Sequence, residues 1–124
     1  MSRIIIDQNL TKYLRDLLPG HDVSHAHEMG WDRLSNGELL NAAEQAKFEV
    51  MLTADQSIPH QNRMEGRQIA LVILSTNRWP TIQQASDRIL QALEGLSPGE
   101  CRRVSLPRPP LRRQRAPGIP GVTP

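Results

Sequence analysis

Short apolar runs recur along the chain, and between them apolar residues return at helical spacing. The first run, Arg3 to Ile6, is β-branched and ends on a carboxylate, Asp7. Leu10, Tyr13, Leu14, Leu17 and Leu18 follow at i, i+3, i+4, i+7 and i+8, the pattern of a helix that buries one face. Asn9 is placed to cap it, and Pro19-Gly20 stops it before a short strand near Asp22 to His25. Asn36 offers the next cap, for a helix bearing Leu39, Leu40, Ala43 and Ala46. Val50 to Thr53 reads as the third strand, with Asp55 just past its end. Gln56 to Gly66 reads as a polar loop. Ile69 to Leu74, apolar throughout, predicts a strand buried on both faces, with Ser75-Thr76-Asn77 at its carboxyl end. Thr81 caps a last helix whose stripe is Ile82, Ala85, Ile89, Ala92, Leu93 and Leu96. Pro98-Gly99 then turns into an edge strand, Arg102 to Leu106.

Strands that alternate with helices predict an α/β domain with a parallel sheet covered on both faces, because each crossover needs a helix. In such sheets ligands bind beyond the carboxyl ends of the strands, where Asp7, Asp55 and Ser75-Thr76-Asn77 all fall. A chain of 124 residues supplies one modest core. The expected division is a domain over residues 1–106 and a disordered Pro/Arg-rich tail over 107–124.

Charge sharpens that boundary. The formal net charge is +2, but residues 1–106 hold 11 of the 15 Lys/Arg and all 13 Asp/Glu, a balance of −2. The basic character of the whole belongs to the tail, where Arg108, Arg112, Arg113 and Arg115 stand among six of the ten prolines. A solvated extension is the plain reading of such a segment, and a basic arm that touches RNA or another polyanion is the sharper one. Cys101 is the sole cysteine, which excludes an intramolecular disulfide and a thiolate zinc cage and fits a cytoplasmic location. No apolar run approaches the roughly 20 residues that span a bilayer, so no membrane role is expected.

Two carboxylates at the rim, Asp7 and Asp55, point to a hard cation. Mg²⁺ and Mn²⁺ take oxygen ligands, keep several waters and can activate one for attack on a phosphodiester. Glu38, in the first turn of a helix, fits a third acid or simply complements the helix N-terminus. His25 and His27, two apart, would share one face of a strand, a spacing that zinc sites can use, with ordinary polar surface the plainer reading. Trp31 and Trp79 could pack or stack on bases, Trp79 being the better placed for stacking. Arg78 beside the rim could meet a phosphate.

The set Ile4-Ile5-Ile6-Asp7-Gln8-Asn9-Leu10, Gly20-His21-Asp22-Val23, Asn36-Gly37-Glu38-Leu39-Leu40, Leu52-Thr53-Ala54-Asp55-Gln56 and Leu74-Ser75-Thr76-Asn77 resembles the DUF5615 branch of PIN-like proteins across roughly residues 3–105. The resemblance implies a three-layer α/β/α sandwich with a mainly parallel sheet of about five strands. It also implies an Mg²⁺- or Mn²⁺-dependent ribonuclease of toxin type, with Asp7, Glu38 and Asp55 as catalytic and metal-holding acids. Asn9, Ser75, Thr76, Asn77 and Arg78 would contact the substrate. RNA, an antitoxin protein and a second copy of the chain are the expected partners.

The chain departs from the branch at Gln8, where a glutamate is usual; the region that holds a further acid in larger PIN domains is too short here to assign an equivalent, and Glu28 is only a candidate. Gln8 favours a rival in which the fold binds RNA or an antitoxin without catalysis. A second rival is a phospho-receiver domain, with Asp55 as acceptor and Thr76 after the fourth strand. Against it stand Gln8, in place of one member of an acidic pair, and the lack of a lysine after the fifth strand; Lys12 and Lys47 are the only lysines.

Overall fold

The structure, a computed structural model, describes residues 2–107; the tail expected to be disordered lies, from Arg108 on, outside the described residues. Five strands form one sheet: β1 (Arg3–Ile6), β2 (Asp22–His25), β3 (Val50–Thr53), β4 (Ala70–Leu74) and β5 (Cys101–Val104). Every pairing is parallel, and the order across the sheet is β2-β1-β3-β4-β5. The helices are α1 (Asn36–Gln45), α2 (Ile58–Gln61), α3 (Trp79–Gln84) and α4 (Ser86–Ala92), with a 3-10 helix at Lys12–Leu17. The expected α/β architecture with a parallel sheet is therefore what the chain adopts.

Alternation along the strands sends side chains to two apolar clusters, one per face. Ile4, Ile6, Val50, Leu52, Val72 and Leu74 pack with Leu10, Leu14 and Leu18 from the 3-10 helix region and with Ile82, Ile89 and Leu93 from the α3–α4 region. Ile5, Met51, Leu71 and Ile73 face the other way, onto Leu39, Leu40 and Ala43 of α1, Phe48 and Ile58. Both faces of β1, β3 and β4 are thus apolar, which is why their sequences read as unbroken runs. No helix among the described residues is long and apolar enough to cross a membrane.

Several local expectations give way to tighter geometry. The first helix forms only as the 3-10 segment, capped by Thr11 rather than Asn9, and Tyr13 of the predicted stripe is 59% exposed. Ser35, not Asn36, caps α1, through a reciprocal capping box with Glu38. The last helix is broken at Ala85 into α3 and α4, and Thr81 is buried inside α3 instead of capping it. The loop after β3 contains α2. Strand β5 ends at Val104, short of Leu106.

Candidate functional site

Because the chain leaves β1 toward β2 on one side and continues from β3 to β4 and β5 on the other, the crevice beyond the carboxyl ends of β1 and β3 is the switch point of the sheet. Asp7 directly follows β1 and Asp55 lies two residues past β3. Thr53, the last residue of β3, joins them. Its hydroxyl donates to Asp7 Oδ2 at 2.8 Å and accepts from the Asp55 backbone N–H at 3.0 Å. It also accepts from Asn9 Nδ2 at 3.2 Å, while Asn9 Oδ1 accepts from the Ala54 N–H at 3.2 Å. A hydroxyl has one proton, so its donation to Asp7 sets the direction of the other two bonds.

The two carboxylates sit in opposite environments. Asp7 is 5% exposed, and burial raises its pKa above the ordinary aspartate value against the hydrogen bonds from Thr53 and the Gln8 N–H; the Asp55 charge adds to the rise. Asp55 is half-exposed. Its Oδ1 accepts from the Ser57 hydroxyl and N–H at 2.6 and 2.9 Å, and its Oδ2 from Asn36 Nδ2 at 2.9 Å. Hydrogen bonds from Ser57, foremost, and from Asn36 hold its pKa below the ordinary value despite some desolvation.

Glu38 is placed differently. Its Oε1 accepts the Ser35 N–H at 2.9 Å, closing the capping box, and its pKa is lowered by those contacts with Ser35. The residue of α1 that reaches the rim is Asn36. Among the described residues no three His, Cys, Asp or Glu side chains gather into a metal-holding group. The chain brings Asp7 and Asp55 together and leaves Glu38 at its own helix cap. Two carboxylates with amide neighbours suit a cation that retains most of its waters, as Mg²⁺ does with one or two protein carboxylates. Both oxygens of Asp7 and Oδ2 of Asp55 each accept one hydrogen bond and keep a lone-pair direction for such an ion, whereas Asp55 Oδ1 accepts two, both from Ser57.

Of the residues expected to touch substrate, Asn9 is drawn into the Thr53 network. Asn77 Nδ2 donates to the Asn9 carbonyl at 3.4 Å. The Ser75 hydroxyl accepts from the Leu106 N–H at 2.9 Å, and Thr76 Oγ1 from the Arg78 N–H at 3.1 Å. Ser75, Asn77 and Arg78 are exposed at the end of β4.

The histidine pair is not a pair in space. Strand β2 ends at His25, which is buried with Nε2 on the Leu10 carbonyl at 2.7 Å and Nδ1 accepting the His27 N–H at 3.1 Å. Both ring nitrogens are engaged, while His27 lies exposed near Asp32. Glu28 forms an ion pair with Arg15 and accepts the His25 N–H. Trp79 is partly buried against one apolar cluster, and Trp31 packs on the other, edge-on to Phe48 at 6.1 Å.

Thr53, Asn36 and Gln56 stand in the fragments that carry the resemblance, Thr53 as the first residue of its Thr-x-Asp motif, and Ser57 in the polar loop, but none of the four reads as a site residue from the sequence. No family model, no curated protein and no solved structure matches this chain.

Proposed function

We propose that the rim between β1 and β3 is a divalent-cation-dependent centre that hydrolyses RNA phosphodiesters. The observation that carries this reading is the pair of carboxylates bridged through Thr53 and displaced in opposite directions, Asp7 upward and Asp55 downward. Neighbouring acids whose environments push their pKa values apart divide into proton acceptor and permanent charge. Asp55 stays ionised and open to solvent, suited to hold a cation. Asp7, closer to neutrality, is suited to take a proton. A bound Mg²⁺ or Mn²⁺ would supply an oriented water of lowered pKa and neutralise charge on the phosphate. Asn9, Asn36 and Asn77 surround the pair with neutral amides that add no repulsion toward a polyanion.

The test is incubation of the purified full chain with single-stranded RNA in Mg²⁺, Mn²⁺ or chelator, beside Asp7→Asn, Asp55→Asn and Glu38→Gln. Cleavage that needs the cation and falls at least about 100-fold in both aspartate variants supports the reading. Cation-independent cleavage, or variants that cleave like the parent, would sink it. Glutamine keeps the capping box, so loss of activity in Glu38→Gln would add Glu38 to the centre. A toxin role, in the cytoplasm and with an antitoxin partner, belongs to the same proposal. It requires that expression of the parent arrests growth and expression of Asp55→Asn does not.

A second reading rests on the strand order. The order 2-1-3-4-5 is that of flavodoxin-like sheets, which have the acid-after-β3 outline of a phospho-receiver. Labelling of Asp55 by a small phosphodonor would support it. Binding of RNA without turnover would instead favour the non-catalytic module that Gln8 points to.

A further inference from the structure

We infer that Arg78, Arg88 and Arg103 form a phosphate-binding track that leads a single-stranded RNA past the β5 side of the sheet to the acidic pair. This rests on the reading of the rim as a site for RNA, and it identifies the surface that holds the substrate.

Of the nine arginines among the described residues, four are committed to carboxylates. Arg3, Arg15, Arg67 and Arg102 each pair with a carboxylate. Arg102 is further tied to the Ala92 and Glu94 carbonyls at 3.0 and 2.8 Å, where it closes the end of α4. The other five, Arg33, Arg63, Arg78, Arg88 and Arg103, are exposed, and among the described residues none of them forms an ion pair. What sets Arg78, Arg88 and Arg103 apart is that they share one corner. Arg88 and Arg103 line a single groove with Ser105, and Arg88 Nη1 reaches the Ser105 carbonyl at 3.5 Å. The next residue, Leu106, lines a second groove with Ser75, Thr76 and Arg78. The grooves therefore adjoin along residues 104–106, with cations in both.

Two contacts bind this corner to the acidic pair. Arg103 Nη1 donates to Gln56 Oε1 at 2.6 Å, and Gln56 follows Asp55 and donates to the Leu74 carbonyl at 2.8 Å. On the other side Asn77, next to Arg78, donates to the Asn9 carbonyl. Arg103 thus meets the residue between Asp55 and its partner Ser57, and Arg78 adjoins a residue that touches Asn9, a member of the Thr53 network. A polyanion approaching two carboxylates on a domain whose net charge is −2 needs such local attraction, and arginine forks match phosphate oxygens in pairs.

Fluorescence anisotropy of the full chain with a labelled single-stranded RNA, in chelator and across a salt series, tests the track apart from catalysis. The variants are Arg78→Gln, Arg88→Gln and Arg103→Gln, singly and together, with Arg33→Gln as the control. Arg33 is an exposed arginine in the segment after β2, at the opposite edge of the sheet. Each phosphate contact removed lowers the steepness of the log–log salt dependence by about 0.7, so the triple variant should lose about 2 and bind at least tenfold more weakly. Arg33→Gln should match the parent. A triple variant with parental affinity and salt slope, or a loss equalled by Arg33→Gln, overturns the track. Failure of the hydrolase reading shows separately, as RNA that binds through these arginines and is not cleaved.

Discussion

Thr53 donates its only hydroxyl proton to Asp7, and both side chains are buried at the carboxyl rim of the sheet. That single bond also orders Asn9 and the Asp55 backbone, since both must then donate to Thr53. Thr53→Val keeps the shape and removes the hydroxyl. It leaves a buried carboxylate oxygen and the Asp55 N–H without this partner, at a cost of about 1–3 kcal/mol. Chemical denaturation should show the loss, and Thr53→Ser should restore most of it. An unchanged midpoint in Thr53→Val would remove Thr53 from the centre of the network.

Asp7 makes the parent protein respond to acid in an unusual sense. Its folded-state pKa is raised from an ordinary value of 3.8, mainly by burial. Below the unfolded value the group is neutral in both states and carries no charge-burial penalty. The penalty appears as pH rises through the folded value. Between neutral pH and about pH 4 the parent should therefore gain stability relative to Asp7→Asn as acid is added. Melting curves of both proteins across that window measure it, and a constant gap between them would contradict the assignment.

Asp55 should behave in the opposite way. Its folded-state pKa is lowered by Ser57 and Asn36, so its contribution is present above the unfolded value and is lost as pH falls through the folded one. At neutral pH Asp55→Asn should be less stable than the parent by about 1 kcal/mol, because an amide nitrogen now faces donors. Below pH 4 the difference should shrink. Persistence of the full deficit in acid would show that charge is not its source.

Gly99 tests packing far from the rim. Its φ is +80°, and a Cβ there would lie 2.8 Å from the Met64 carbonyl oxygen and 3.3 Å from that of Arg67. These are backbone atoms, which cannot rotate aside as a side chain can. Gly99→Ala should cost more than about 2 kcal/mol. A loss below 1 kcal/mol would mean that the turn before β5 moves freely.

The strands were legible because the sheet is parallel and covered on both sides, so burial left runs such as Ile4-Ile5-Ile6 and Ala70 to Leu74 without polar interruption. Strand order was not, since it depends on pairings between distant segments. Helix periodicity found the buried stripe from Ile82 to Leu93 but could not register the break at Ala85, which shifts the backbone without removing any stripe residue from the core. At the site, Asp7 and Asp55 announced themselves by following apolar strands. Thr53 did not, because threonine at a strand end reads as an ordinary β-former. The capping signature from Ser35 to Glu38 was present in the sequence, and it accounts for where the Glu38 carboxylate went.

A sheet without hairpins also dictates how this molecule comes into being. Every strand pairing must close a long loop first, and the bond that unites the rim joins residues 46 positions apart. Such contacts give nothing back until the intervening chain has been ordered, so folding should be slow for the size of the domain and should lack a stable half-formed stage. The acidic pair then exists only once β1 and β3 have met.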